Sequence, residues 1–72
     1  MWVFHSPIGD LKIKRMPDGT YGLEYRGIIW ECCNTPQQEA DNVYQQCTGC
    51  SDWDLYSGPA DVPHDLSEWE HV

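Results

Sequence analysis

Residues 34–54 read NTPQQEADNVYQQCTGCSDWD, and this stretch carries the clearest helix signals in the chain. Thr35 suits the position before a first helical turn, because its hydroxyl can accept a hydrogen bond from a backbone N–H that the helix leaves free. Pro36 suits the first helical position, and Gln38 stands where a capping box has Glu or Gln. The sequence therefore predicts a helix whose first turn is capped by Thr35.

The spacing of apolar residues predicts which face of this helix is buried. Four of them follow the i, i+3, i+4 and i+7 spacing of one helical stripe, namely Ala40, Val43, Tyr44 and Cys47. Six polar side chains point elsewhere: Gln37, Glu39, Asp41, Asn42, Gln45 and Gln46. Gly49 favours the left-handed conformation that ends many helices. We therefore expect a helix over residues 35–47 that buries this stripe.

The residues before the helix have the alternating pattern of strands. Residues 10–16 and 20–25 each place apolar and polar side chains on opposite faces, and a Pro-Asp-Gly turn separates them. Residues 2–5 are β-prone and are followed by a proline, so we expect an edge strand there. Residues 28–33 are largely apolar on both faces, which indicates a strand with cover on each side or one that meets a partner.

The residues after the helix are predicted to form an irregular tail. They include several chain breakers, namely Ser57, Gly58, Pro59 and Pro63. Asp65 can cap a final turn over residues 66–70. Leu66 and Trp69 lie three residues apart, so both can dock on the sheet or on the helix.

These elements predict an α+β fold, in which a three- or four-stranded antiparallel meander carries one helix on one face. The 72 residues are expected to form a single small domain. One helix covers one face of a sheet. The remaining apolar surface, with Val3, Ile29 and Cys33 or their alternates, then requires the tail or a second molecule.

The net charge of −8 is distributed unevenly. Residues 1–26 hold all four bases against three acids, for a charge of +1, and residues 27–72 hold the other nine acids, for a charge of −9. An acidic chain repels the phosphate backbone, so no nucleic-acid partner is expected. A basic protein partner or a solvated acidic surface fits this charge.

The distribution of apolar residues also indicates the cellular compartment of the protein. No stretch approaches the roughly 18 apolar residues of a membrane span, and the start MWVFHSPIGD lacks the basic and apolar regions of an export signal. We therefore expect a cytoplasmic protein with no membrane partner. The reducing cytosol favours free thiols over disulfides.

The cysteines are the sharpest candidates for chemistry: Cys32, Cys33, Cys47 and Cys50. Four thiolates can hold a tetrahedral zinc ion, but adjacent residues such as Cys32 and Cys33 point to opposite faces of a strand. A redox role for Cys47 and Cys50 is disfavoured, because the pair lies at a helix C-terminus, where the dipole opposes a thiolate. Free thiols are favoured, with Cys47 and Cys50 packed in the interior, and bridged or metal-bound thiols are the alternatives.

No other arrangement indicates catalysis. The densest carboxylates are Asp52, Asp54, Asp61, Asp65, Glu68 and Glu70. Acids in such breaker-rich sequence usually cap turns or face water. Trp53 and Trp69 are expected in the core, whereas an exposed tryptophan would be the best anchor for a partner. The sequence therefore names no catalytic, cofactor-binding or metal-binding residue.

Three segments resemble a group of short bacterial proteins of uncharacterised function. That group shares a SPIG opening, a TP-x-x-x-A-D-x-V helix and a TGC-x-x-WD segment, which match residues 6–9, 35–43 and 48–54 of this chain. The resemblance covers most of the chain. It implies membership of the group without implying a mechanism.

The order of three strands and a helix, with TPQQEAD at the helix start, also resembles the plant AP2 DNA-binding domain and the arm domains of integrases. Those families contact DNA with basic and aromatic residues of the sheet, and the bases available here are Lys12, Lys14, Arg15 and Arg26. This resemblance implies the architecture rather than the activity. The segment SPIGDLKI is similar to the first strands of alkylguanine-DNA methyltransferases, but their reactive PCH motif is absent.

The sequence favours a non-enzymatic protein-binding or interaction module. The expected partner contacts the uncovered sheet face or an edge strand. That partner can also be a second copy of the chain, in a weak homodimer. A small zinc-stabilised domain is the first alternative function. An AP2-like nucleic-acid-binding sheet is the second, and the net charge disfavours it.

Overall fold

The computed structural model describes residues 1–58 and 61–72 and has the predicted α+β fold. Within these residues the strands are β1 (Trp2–Ser6), β2 (Gly9–Arg15), β3 (Tyr21–Tyr25), β4 (Ile28–Cys33) and β5 (Glu70–His71). They form one antiparallel sheet in the order β4-β3-β2-β1-β5. Helix α1 (Pro36–Gln45) and the single turn α2 (Ser51–Asp54) follow β4, and a 3-10 turn at Leu66–Glu68 precedes β5.

The first four strands form the predicted meander, and local turn chemistry connects them. Ser6 pairs with Gly9, which leaves a short turn between β1 and β2. Between β2 and β3, the Asp18 carboxylate accepts a hydrogen bond from the Thr20 N–H at 3.0 Å. Gly19 has a φ of 88° in the same turn, a conformation that favours glycine.

The pairing of β2 with β3 sorts the side chains onto two faces. Leu11 lies opposite Tyr25, and Ile13 lies opposite Leu23. All four side chains are buried beneath α1, so this face is the inner face of the sheet. The alternate residues form the outer face, where the Lys14 ammonium lies 2.6 Å from the Glu24 carboxylate.

The prediction that the first strand is an edge strand is wrong. β1 lies between β2 and β5, because Val3 pairs with Lys12 on one side and with Glu70 on the other. The Trp2 indole also stacks on the His71 imidazole, with ring centroids 4.7 Å apart. A fifth strand therefore forms where the sequence predicted only a tail.

The C-terminal part confirms the predicted cap and both predicted docking residues, since Leu66 also packs against the core. The Asp65 carboxylate accepts a hydrogen bond from the Ser67 N–H at 3.0 Å and caps the 3-10 turn. Trp69 is buried, and its ring centroid lies 5.6 Å from that of Phe4. The turn is shorter than predicted, because the residues after Trp69 pair with β1. The predicted break at Pro59 lies outside the described residues.

Helix α1 begins as predicted but ends earlier. The Thr35 hydroxyl accepts a hydrogen bond from the Gln38 N–H at 3.2 Å. Gln46 ends the helix by adopting a left-handed φ of 56°. Its side-chain amide donates to the carbonyls of Trp53 and Tyr56 at 2.8 and 2.7 Å, which fixes this conformation. The helix end predicted from Gly49 is therefore wrong.

The early end of α1 divides the predicted apolar stripe. Ala40 and Val43 are fully buried, as predicted. Cys47 lies beyond the helix and is exposed, so the prediction that it belongs to the core is wrong. Tyr44 lies within α1 but is 45% exposed, so the prediction that its side chain is buried is wrong. Its ring packs against the His64 ring, with a centroid separation of 4.4 Å.

The segment after α1 is held by one carboxylate. Asp54 accepts hydrogen bonds from the N–H and the hydroxyl of Thr48 at 2.9 and 2.7 Å, and from the Gly49 N–H at 2.8 Å. The neighbouring Trp53 is fully buried, and its indole N–H donates to the Val43 carbonyl at 2.8 Å. The TGC-x-x-WD segment is therefore a structural element that fixes a core tryptophan.

Candidate functional site

The four cysteines do not form one site. All are free: Cys32 and Cys47 are exposed, Cys33 is half-buried and Cys50 is buried. In the described part of the chain, no three of their sulfur atoms lie close enough together to bind one metal ion. Cys50 is fully buried, as predicted. The arrangement gives no support to a zinc site built from the four thiolates.

A different set of side chains converges between β4 and α1. One ligand atom from each of Glu31, Cys33 and Glu39 lies within 4.8 Å of the other two. We call these three residues the Glu–Cys–Glu cluster. Glu31 and Cys33 are half-buried, and Glu39 is buried. The cluster therefore combines two carboxyl groups and a thiol at the open side of the core.

An irregularity in β4 directs two members of the cluster toward the helix. Glu24 pairs with Ile29, whereas the preceding residue of β3, Leu23, pairs with Glu31, so Trp30 is an additional residue in β4. Such a bulge shifts every later side chain to the other face of the sheet. Without it, Glu31 would lie on the outer face.

The register after the bulge places the strand residues on the inner face. Glu31 lies opposite the buried Leu23, and Cys33 lies opposite Tyr21. Residues that pair directly across neighbouring strands have side chains on the same face. Both Glu31 and Cys33 therefore face α1.

Helix α1 contributes Glu39 from its first turn. Glu39 lies four residues before Val43, so the two side chains share the inner face of the helix. The exposed fraction of Glu39 is 0%, and its two carboxyl oxygens accept no hydrogen bond from any N–H of the described residues. They lie beside the Glu31 carboxyl group and the Cys33 thiol, which can share hydrogen bonds with the protonated Glu39. The prediction that Glu39 points away from the core is therefore wrong.

Burial changes the protonation of two members of the cluster. It raises the pKa of Glu39 to about 9, and a hydrogen bond to Glu31 and the charge of Glu31 add to the rise. Burial likewise raises the pKa of the Cys33 thiol to about 12, with further contributions from Glu39 and Glu31. Near neutral pH, Glu39 and Cys33 therefore hold their protons in the absence of a bound cation.

Asn42 connects the strand members of the cluster to the helix. Its side-chain N–H2 group donates to Glu31 Oε1 at 3.0 Å and to Cys33 Sγ at 3.5 Å. The prediction that Asn42 lies on the polar side of the helix misses this contact. The amide holds one oxygen of Glu31 and the sulfur of Cys33 in fixed positions.

The remaining polar side chains form surface contacts. His5 Nδ1 lies 2.7 Å from Asp10, and His5 Nε2 lies 3.3 Å from Glu70, all three side chains being exposed. The Ser6 hydroxyl donates to the Gly9 carbonyl rather than to His5. This group is therefore a surface ion-pair network.

Two surface depressions lie away from the cluster. One, of about 270 Å³, lies around Ile8, Tyr25 and Arg26. The other, of about 580 Å³, is lined by Tyr44, Val62 and other residues of the helix end and the tail. Neither is lined by Glu31, Cys33 or Glu39.

Sequence reasoning missed two of the three cluster residues. Glu31 and Cys33 are two residues apart in a strand, so they share a face, and that signal was available. Glu39 lies at i−4 from Val43, which also indicates a shared helical face. Polarity assigned Glu39 to solvent, Glu31 was given no role, and only the register across the sheet brings the two together.

No family model, curated protein or solved structure matches this chain. The resemblance to short bacterial proteins therefore stays a prediction. In the residues that the structure describes, every helix is too short or too polar to cross a bilayer.

Proposed function

We propose that this chain is a non-enzymatic interaction module of the cytoplasm that binds an extended segment of a partner protein along β4. The observation that carries the proposal is a sheet edge with no neighbouring strand, where Gly49 lies close to the Trp30 carbonyl. Among the described residues, β4 pairs with β3 on one side and with no strand on the other. The free N–H and C=O groups of an edge strand can pair with a strand from another chain.

Side chains along β4 support this use of the edge. Ile28 is 53% exposed and Trp30 is 37% exposed. The Trp30 indole N–H donates to the Tyr25 carbonyl at 3.1 Å, so the ring is held in place before a partner binds. A tryptophan that is ordered in advance loses less conformational entropy on binding, which favours its use as an anchor.

The other surfaces of the sheet are less suited to a partner. At the opposite edge, β5 has two residues, both exposed, and one of them is the charged Glu70. A short charged edge strand discourages pairing with further strands. On the outer face, Lys14 and Glu24 form an ion pair at 2.6 Å, which favours contact with water. The β4 edge is therefore the preferred contact surface.

The charge of the chain indicates which residue types the partner segment should contain. Residues 27–72 carry nine acids and no Lys or Arg, so an extended segment with apolar and basic residues is the best complement. A weak homodimer would use the same surface, because two copies of β4 can pair about a two-fold axis. Nucleic acid is a poor partner, since Lys14, one of the four bases, is already paired with Glu24.

Affinity capture from the native host, compared between variants, tests the proposal. We expect a specific protein to be captured by the wild-type chain and by Leu55→Ala, whose side chain is 81% exposed outside the sheet. Ile28→Lys and Trp30→Ala should each reduce capture at least tenfold, which corresponds to about 1.4 kcal/mol. Hydrogen exchange on the complex should show slower exchange in β4.

Two results would contradict the proposed contact. One is capture that is equal for the wild-type chain and for both β4 variants. The other is slower exchange confined to the outer face or to the tail. Sedimentation of the purified wild-type chain separates the homodimer from a second protein, because a dimer through β4 would dissociate in Ile28→Lys and persist in Leu55→Ala.

A further inference from the structure

We propose that Glu31, Cys33 and Glu39 form a binding site for a divalent transition-metal ion, with zinc as the preferred ion. The ion would join the edge strand β4 to helix α1. This proposal is independent of the β4 contact, because it concerns the inner face of the strand rather than its free edge.

The distances between the donor atoms fit a small ion after a modest contraction. The three ligand atoms lie within 4.8 Å of one another. Zinc binds carboxylate oxygen at about 2.0–2.2 Å and thiolate sulfur at about 2.3 Å, so tetrahedral ligands lie roughly 3.3–3.6 Å apart. A contraction of about an ångström or less at each side chain brings the donors to that spacing, which side-chain torsions can supply.

The buried carboxyl group of Glu39 is the independent observation that points to a ligand. Its two oxygens are inaccessible to solvent and accept no hydrogen bond from an N–H of the described residues, so the groups beside it are the Glu31 carboxyl group and the Cys33 thiol. A buried carboxyl group among other acidic groups is costly to ionise, and buried charges in proteins are normally paired or bound to a metal. A cation between Glu39 and the two strand residues would bind all three acidic groups together.

The hydrogen bonds of Asn42 resemble the outer contacts of known metal sites. The amide donates to Glu31 Oε1 and to Cys33 Sγ, so it orients the carboxylate and the sulfur together. In metal sites, such contacts commonly fix the direction of a ligand and strengthen metal binding. Asn42 is a positioning residue in this proposal and not a ligand.

The types of donor select the class of metal. A thiolate disfavours Mg²⁺ and Ca²⁺, which take oxygen ligands, whereas zinc accepts sulfur and carboxylate oxygen in one site. On coordination, the Cys33 thiol and the Glu39 carboxyl group each release a proton to the solvent. Three protein ligands leave a fourth tetrahedral position, and water can reach it because Glu31 and Cys33 are partly exposed.

The test measures zinc and cobalt binding to the chelator-treated full chain. Native mass spectrometry should show one Zn²⁺ per chain, and thermal unfolding should shift upward with added zinc. Co²⁺ should give a thiolate-to-cobalt charge-transfer band in the near ultraviolet. Cys33→Ser should abolish that band, and both Cys33→Ser and Glu39→Gln should weaken zinc binding at least 100-fold.

Matched variants separate this site from other thiols and acids. Cys32→Ser and Cys47→Ser change exposed cysteines and should leave the stoichiometry, the band and the thermal shift unchanged. Asn42→Ala should weaken binding by about 10-fold to 100-fold while one ion per chain still binds. Glu31→Gln provides a second ligand variant if Glu39→Gln does not fold.

Several results would overturn the proposal. They are an absence of zinc binding to the folded wild-type chain, equal binding by Cys33→Ser, and loss of binding in Cys32→Ser or Cys47→Ser. One zinc ion shared between two chains would also overturn it, because the site described here lies within one chain.

Discussion

Helix α1 contacts the sheet along two regions of opposite character. Toward β2 and β3, Ala40 and Val43 pack on an apolar surface that includes the fully buried Leu23. Toward β4, Glu39 and Asn42 meet Glu31 and Cys33. We call the first region the apolar contact and the second the polar contact. One helix therefore both completes a core and buries a carboxyl group beside two other acidic groups.

The comparison shows which region stabilises the fold and which one is available for binding. Burial of apolar side chains contributes roughly 25 cal/mol for each Å² removed from water, so the apolar contact favours folding. Burial of an unpaired carboxyl group has the opposite effect. A small domain that retains such a group at the edge of its core gains stability when a cation binds there.

The largest expected effect removes a core side chain next to the apolar contact, the indole of Trp53. Trp53→Ala should lower the free energy of unfolding by about 3–5 kcal/mol, because it leaves a cavity and removes the hydrogen bond to the Val43 carbonyl. Urea unfolding monitored by circular dichroism measures this loss. Leu55 lies two residues away and is 81% exposed. Leu55→Ala should therefore change the free energy of unfolding by less than about 0.5 kcal/mol. Similar losses in both variants would show that Trp53 does not belong to the core.

The next effect concerns the segment that positions Trp53. Asp54→Ala removes the acceptor for Thr48 and Gly49 and should lower the free energy of unfolding by about 2 kcal/mol. Asp52→Ala changes a neighbouring exposed acid and serves as the control. A loss in Asp52→Ala as large as that in Asp54→Ala would refute the assigned capping role.

The third prediction tests the polar contact in metal-free protein. The folded chain keeps a proton on Glu39 up to a pKa of about 9, whereas the unfolded chain releases it near the ordinary value of 4.5. The free energy of unfolding should therefore fall as pH rises between these values, because the folded state binds more protons. Glu39→Gln should remove this slope and gain about 1–2 kcal/mol at about pH 8.

Urea unfolding in the presence of a chelator, at several pH values, measures the difference between the wild-type chain and Glu39→Gln. Asp41→Asn is the control, because it removes an exposed acid from the same helix. If the wild-type chain and Glu39→Gln respond identically to pH, Glu39 does not carry the raised pKa assigned to it.

The smallest expected effect concerns His5, which lies beside β5 at the edge of the sheet opposite β4. Hydrogen bonds to Asp10 and then to Glu70 raise the pKa of His5 above 6.5. The contribution of His5 to β5 pairing should be complete below 6.5 and should be lost as pH rises through the raised pKa. Proton NMR titration should show the raised pKa, and Glu70→Gln should lower it while Glu68→Gln leaves it unchanged. If the pKa of His5 is the same in the wild-type chain, in Glu70→Gln and in Glu68→Gln, β5 does not contact His5.

The sequence predicts the elements that depend on neighbouring residues. The helix start at Thr35 and the meander have local signals, and both are confirmed. Strand β5 has no such signal, because it pairs with β1 from the other end of the chain. The helix end depends on the contacts of Gln46 with the carbonyls of Trp53 and Tyr56, which residue types alone do not reveal.

Local sequence patterns also fail to predict the polar contact. The bulge at Trp30 moves Glu31 and Cys33 to the inner face, and an alternating pattern cannot place such a bulge. The preference of glutamate for solvent assigned Glu39 to the surface. A site whose residues contradict ordinary burial preferences is therefore the part of a fold that sequence patterns predict least well.

The most direct test of the polar contact is X-ray diffraction from zinc-grown crystals, recorded at the zinc absorption edge. We expect an anomalous peak about 2.0–2.3 Å from an oxygen of Glu31, the sulfur of Cys33 and an oxygen of Glu39. A map without that peak, in which the Glu39 carboxyl group shares a hydrogen bond with Glu31 instead, would contradict the account.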